Sequence, residues 1–530
     1  ASSLDANTTA SANTAVGYRA GRNLTTSQNN TIVGYQTGEN VSSNSNVIMG
    51  NSAGRNITTG GGENVVIGNA AAEQASSIED SVLIGTQAGY NSSGSRRSVS
   101  IGWYAGQKMY DGRNNVFMGY TAGRYISGSD NTFVGYNAGR GNSAFTSPGG
   151  SYNEAFGTHA LVSLKDGTYN TAIGNRALQN LENANYNVAV GYAAGSNIQD
   201  GSQYNTILGY RAGQGKIWGS DNIVMGYFSG YNGITSNNII MGNEAGRYMS
   251  GSNNIAIGND SMKGLGTSTM SNIQYNIGVG YRTLYYLAAE AQNSTAVGYK
   301  AGLYATGSYN TFFGAEAGEG SNSAPYSSGE NNVAVGYNAL YSFTTGYDNV
   351  AVGYEALSTN TTGGDLVAVG RNALTSNTTG YRSTAVGDGA LYHNTEGSRN
   401  TGLGRLAGYH NQTGGQNVAI GESAMLGSSG QSNSYNIGIG YQSLLAVTSG
   451  GSNVVIGHQA GQAITNTGNT VLIGRHAGYS INSADAIGTV AIGYGAGYAL
   501  TDGEANTIIG YRAGKEITTK NRNTIIGYEA

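Results

Sequence analysis

The chain has no cysteine, two prolines and little charge, with 11% of its 530 residues Asp, Glu, Lys or Arg. Without cysteine it forms neither disulfides nor thiolate metal sites. Charge at about half the usual share, beside abundant Gly, Asn, Ser and Thr, would suit a disordered chain. However, 38% hydrophobic residues at regular spacing do not. No apolar run approaches the roughly 20 residues a membrane helix needs, so no membrane insertion is expected in this segment. The net charge of −4, with no basic cluster, gives no electrostatic case for nucleic acid or an acidic membrane. The sequence opens with neither an initiator Met nor a signal peptide, and reads as a mature or excised piece.

What is present is a repeat. A five-residue word recurs: Asn, a β-branched residue, a small or apolar residue, a large apolar residue, Gly. Examples are Asn30-Thr-Ile-Val-Gly34, Asn187-Val-Ala-Val-Gly191 and Asn417-Val-Ala-Ile-Gly421, with two more closing at Gly336 and Gly353 after Asn332 and Asn349. With the closing Gly as position 0, the chain holds 30 copies from Gly17 to Gly527, and 16 of the 29 intervals are 17 residues long. Position −1 is always large and apolar, −3 is Val, Ile or Thr except at Glu154, −4 is Asn in 23 copies, and +3 is Ala, Ser or Thr in all 30.

A short β-branched run closed by Gly is a strand ending in a bend. A period of 17 is too short for a helical hairpin and suits one coil of a parallel β-solenoid. The expected fold is all-β, one continuous array over residues 1–530. Coils stacked at about 4.8 Å would give a rod on the order of 140 Å long. The Asn at −4 would form a ladder of amides that satisfies turn backbone.

Alternation along the strand places −1 and −3 on one face and −2 on the other. The uniformly bulky −1/−3 face is expected inside the coil. Yet −2 is also apolar or small in every copy but Ser100, as in strands buried on both sides. Position +4 is usually Gly; in the ten copies where it is Leu or Met, −2 is Ala or Gly, as at Ala351/Leu357 and Ala368/Leu374. Close-packed interiors penalise both voids and overfilling, so −2 and +4 are expected to share one packed layer, buried against neighbouring chains. That arrangement favours a homo-oligomer, most simply a parallel trimer.

The word followed by a small residue at +3 resembles the N-S-V-A-I-G-x-x-S/A head repeats of trimeric autotransporter adhesins (YadA-like). The stretch from Asn349 to Leu357 is similar to the N-T-A-V-G-Y-x-A-L version found in phage tail fibres. The resemblance runs end to end and implies a left-handed β-roll assembled as a trimer. The coils here are longer than the adhesin head repeat, and the chain shows no neck, coiled-coil stalk, anchor or chaperone domain of that family.

Both termini cut through a coil, which suggests a piece of a longer array or subunits stacking end to end. Three intervals stretch to 22 residues and give longer loops at 140–152, 262–275 and 319–331; the first and third hold Pro148 and Pro325. Such insertions are either tolerated length variation or ligand-binding loops. Tyr fills +1 in 15 copies, among them Tyr337, Tyr354, Tyr494, Tyr511 and Tyr528, as a structural ladder or a platform for a sugar ring. His393 and His410 align at +6 in adjacent coils without a third ligand, a poor metal site. Sequons at Asn23, Asn40, Asn56, Asn91, Asn360, Asn377 and Asn411 fall at expected outer turns and would carry glycans where the source glycosylates. Thr344, Thr361, Thr378 and Thr395 form an outward row at +8 of the kind an ice-binding face would show.

No catalytic grouping, cofactor motif or metal motif is visible, so no enzymatic activity is expected. The sequence points to a structural and adhesive fibre shaft, extracellular, on a cell surface or on a virion. The alternatives are a module recognising glycans or a receptor through loops or Tyr rows and, more weakly, an ice-binding solenoid.

Overall fold

The structure is a computed structural model that describes residues 3–142, 149–264, 270–323 and 325–530. It is an all-β parallel solenoid whose coils recur about every 17 residues. Among the described residues the only helix is a single 3₁₀ turn at Ala484–Ala486. Two compact units are present: Ala1–Asp260 with Gly264–Asn272, and Ser261–Lys263 with Ile273–Ala530.

In each unit every five-residue word supplies one three-residue strand, from −3 to −1. In the first unit these run from Thr14–Val16 to Ile255–Ile257; in the second, from Ile277–Val279 to Thr524–Ile526. Within each unit every such strand pairs in parallel with the next coil's strand, and equivalent positions face each other. Ala15 pairs with Ile32 in the first unit, and Ala334 with Ala351 and Ala351 with Ala368 in the second. β-Branched residues suit so short a pleat because their χ1 is already restricted.

The bend after each strand explains the invariant Gly. Gly336 has φ +132, a region that residues with a side chain rarely adopt, and a Cβ there would lie 2.5 Å from the carbonyl oxygen of Gly353 in the next coil. Gly34, Gly191, Gly353 and Gly421 repeat this geometry. Left-handed residues at +2, +4 and −5 then turn the chain back. In one coil of the second unit these are Asn338, Leu340 and Asp348, each with φ 53.

The core lies inside the coil and is built from −2, +3, +4 and +7. Phe312, Ala334, Ala339, Leu340 and Phe343 illustrate it in the second unit; Ile32, Ala53 and Ile57 do so in the first. All are fully buried. This reverses the sequence-based assignment of faces. Position −2 points into the coil, while −1 and −3 point outward; Phe313, Leu403 and Phe156 at −1 remain 57%, 46% and 41% exposed. The −2/+4 layer therefore needs no neighbouring chain, since the coil's own turn at +3 to +7 covers it.

The relation between −2 and +4 has a direct steric cause. A Cβ on Gly38 would sit 3.1 Å from Ile32 Cδ1, because the large −2 residue leans over its own coil's +4. Where +4 is large, it reaches the next coil's −2: a Cβ on Gly438 would meet Met425 Cγ at 2.7 Å, and one on Gly402 would meet Leu391 Cγ at 2.9 Å. Ala351, Leu357, Ala368 and Leu374 are all fully buried in this layer.

Candidate functional site

The Asn at −4 is buried and forms a directional ladder. Each Oδ1 accepts from both the backbone N–H and the side-chain amide of the next coil's Asn. Asn30 donates these two bonds to Asn13 at 2.9 and 3.2 Å, and Asn187 donates to Asn170 at 3.0 and 3.2 Å. In the second unit, Asn332 donates to Asn310 at 2.9 and 3.2 Å, and Asn349 to Asn332 at 3.1 and 3.0 Å. Asn417 donates to Asn400 at 3.0 Å twice. The amide's second proton goes to a turn carbonyl, as from Asn349 to Gly363 O at 2.9 Å. Buried backbone and side chain thus satisfy each other.

The −1/−3 face points outward in each unit. It runs along the whole sheet, one large apolar residue per coil, next to the Tyr positions at +1. The +1 rings stack on those of adjacent coils: Tyr337 on Tyr354 at 5.5 Å, Tyr494 on Tyr511 at 5.2 Å and Tyr511 on Tyr528 at 5.0 Å between centroids. Within a row each ring's face is occupied by its neighbour, so edges and hydroxyls remain for a ligand. A second row went unnoticed in the sequence: Tyr152, Tyr169, Tyr186 and Tyr204, all at −5, stack at 4.7 to 5.0 Å with planes within 9°.

Charges also run in ladders. At +5 of successive coils Arg22, Glu39, Arg55 and Glu73 alternate in sign, and Glu39 lies 3.6 Å from Arg22 and 3.0 Å from Arg55. Arg371, Asp388, Arg405 and Glu422 alternate likewise at +1, with Arg371 3.0 Å from Asp388 and Arg405 3.0 Å from Glu422. The +1 pairs are exposed and of small individual worth, whereas Glu39 in the +5 row is buried between its two arginines.

His393 and His410 stack at 5.0 Å with planes 8° apart. Burial holds the imidazole pKa of each below its ordinary value, and for His410 the neighbouring His393 adds to the effect. Among the described residues no group of three or more His, Cys, Asp or Glu is placed to hold a metal ion.

The sequons divide. Asn23 is exposed and donates to Asn40 at 2.7 Å; Asn40 donates to Asn56 at 2.9 Å; both lie at an outer turn. Asn91 is half-buried and donates to the Tyr110 hydroxyl at 2.7 Å. Asn360, Asn377 and Asn411, expected at outer turns, are instead buried at +7. Asn377 donates to Asn360 Oδ1 at 2.8 Å and Asn394 to Asn377 Oδ1 at 3.0 Å, a second amide ladder inside the coil. Their side chains face the core because +7 does, a position whose identity varies widely, from Leu24, Met109 and Phe343 to Ala75, Ser92 and Asn377. The Thr row is half-buried: Thr344, Thr361 and Thr378 each donate a hydroxyl hydrogen bond to the next coil's backbone carbonyl, at 3.0, 3.0 and 3.1 Å.

Of the long intervals, part of the first, with Pro148, and residues 265–269 of the second lie outside the described residues. In the third, Tyr326, next to Pro325, folds back so that its ring lies 4.7 Å from that of Tyr286 and 5.8 Å from that of Tyr304. No protein-family model matches the chain, and no curated protein matches it in sequence.

Proposed function

We propose that the chain is a shaft segment of a structural, adhesive fibre outside the cell or on a virion, assembled as a parallel homo-oligomer, most simply a trimer. The observation that carries this reading is the outward −1/−3 face. Phe313, Leu403 and Phe156 stand exposed at −1, yet that position is large and apolar in all 30 coils. Contiguous apolar surface on this scale is uncommon on a monomer and marks an interaction face. A second copy fits it well, because a partner carrying the same in-register stripe meets equivalent residues coil after coil. The likeness of the word to adhesin-head and tail-fibre repeats agrees with such an assembly.

The links between coils support a structural role. Amide ladders, stacked rings and alternating charges tie each coil to the next and stiffen the stack. Sedimentation equilibrium should give a mass that is a multiple of 54.4 kDa, with three copies expected. A folded chain that stays monomeric at all concentrations overturns the proposal. Recognition of a ligand by the shaft is a second reading, favoured by a cleft at the third long interval.

A further inference from the structure

Many polar side chains of the second unit bond to their counterparts one coil away, as Asn349 does to Asn332 and Asn377 to Asn360. Glu319 is an exception. It sits at +5, is only 6% exposed, and its Oε2 has no hydrogen-bond partner. Its other oxygen lies 4.0 Å from Lys300 Nζ, and Lys300 is shared with Glu316 at 3.8 Å. Burial pushes the Glu319 carboxyl pKa up, against the pull of Lys300. A buried carboxylate oxygen without a donor is costly, and a donor from outside the chain would offset that cost.

That donor has a place to sit. Glu319 lines an open cleft of about 350 Å³ that runs over several coils, with Tyr304, Ser321, Asn322, Tyr341 and Thr344 among its walls. The floor is held by the main chain: Tyr304 N–H donates to Glu319 O at 2.7 Å and Gly320 N–H to Tyr341 O at 2.8 Å. Tyr304 is fixed by stacking on Tyr286 at 5.0 Å. Tyr341 is followed one coil on by Ser358 rather than an aromatic residue, and no other ring packs on it among the described residues. An aromatic face without a stacking partner therefore stands near an acceptor without a donor. Thr344 already donates its hydroxyl proton to Thr361 O at 3.0 Å, so its oxygen is left to accept. Asn322 is exposed on the rim and supplies an amide.

We propose that this cleft binds a neutral hexopyranose unit of a glycan. The sugar's apolar C–H face would lie on Tyr341, one hydroxyl would donate to Glu319 Oε2, and further hydroxyls would meet Thr344 and Asn322. An aromatic platform beside a few convergent polar groups, in a cleft of this size, is how small polar ligands are oriented. Glu319 and Glu316 together outweigh Lys300, which disfavours an acidic sugar. The inference goes beyond the shaft reading and does not depend on the oligomeric state.

Saturation-transfer NMR on the full chain, with the methyl pyranosides of glucose, galactose, mannose and N-acetylglucosamine as probes, tests it. At least one should bind, with transfer concentrated on one face of the ring. Glu319→Gln and Tyr341→Ala should each weaken that binding about tenfold or more, as expected for losing a charged acceptor or a stacking face. Asn322→Ala, at an exposed position where folding is not at stake, should weaken it by a smaller factor, and Tyr494→Ala should leave it unchanged. Binding by none of the four probes overturns the proposal. So does binding unaltered by all three cleft variants, or binding confined to methyl glucosaminide as an added cationic probe.

Discussion

Leu391 occupies volume that a −2 side chain fills in other coils. Its Cγ lies 2.9 Å from where a Cβ on Gly402 would stand, and its Cδ2 lies 2.6 Å from the corresponding point on Gly408. In the first unit the same space is solved the other way: a Cβ on Gly195 would meet Ile207 Cδ1 at 2.8 Å. Gly402→Ile alone should overpack the layer and cost about 1–3 kcal/mol. Leu391→Gly opens a cavity, worth about 2–5 kcal/mol for a buried Leu. It also relieves a left-handed residue, since Leu391 has φ 51. That relief returns roughly 1–2 kcal/mol, leaving a net loss of about 0–4 kcal/mol. The double variant recreates the Gly195/Ile207 arrangement, and the two losses should cancel in part, by about 1 kcal/mol or more. Long repeat arrays do not unfold in one step, so hydrogen exchange of peptides spanning residues 384–421 is the suitable assay. Each 1.4 kcal/mol there is about tenfold in exchange rate under fast reclosing. Strict additivity would show that the two positions do not compete for space and would refute the packed core as described.

Three further outcomes are expected. Gly336→Ala places a methyl 2.5 Å from Gly353 O at φ +132, so it should cost about 3 kcal/mol or more in local opening, read by the same exchange assay. Asn377→Ala cuts the inner ladder between Asn360 and Asn394 and should cost about 1–3 kcal/mol, whereas exposed Asn23→Ala should cost under about 0.5 kcal/mol. Equal costs would contradict the burial of Asn377. The lowered pKa values of His393 and His410 mean that the unfolded chain takes up protons first as pH drops below its own value, about 6.5. Their contribution is therefore complete above that pH and falls as pH descends toward the folded values. A His393→Gln/His410→Gln variant should show a flatter fall in melting temperature there than the parent, and an equal or steeper fall refutes the assignment.

The repeat, the strand in each word and the Asn ladder were legible because Gly336, Asn349 and their equivalents recur at one spacing with one chemistry. Which face is the inside was not legible. A three-residue strand such as Val350–Val352 is apolar on both faces, and alternation cannot rank two apolar faces. The covariation of Ala351 with Leu357 did hold that information: residues that trade volume within one chain share that chain's own core. Position −1 stays large and apolar whether +4 is Gly or Leu, as a face outside that core does. The core wall at +7 escaped notice because Leu24, Phe343 and Asn377 share neither size nor polarity, and in some coils the buried residue shifts to +8, as at Ile217. The same blindness placed Asn360, Asn377 and Asn411 at the surface. Glu319 carries no repeat signature, so only its burial and missing donor draw attention to it.

The absence of native cysteine makes the central claim testable with single introduced thiols. Ala351 is fully buried at −2 and Val352 points outward at −1. With one cysteine per chain and a short bismaleimide under native conditions, Val352→Cys should be captured as covalent dimers of the chain, while Ala351→Cys should stay unreactive and uncrosslinked. Crosslinking through Ala351→Cys with none through Val352→Cys, or the absence of any crosslink from either, would contradict an assembly built on the outward strand face.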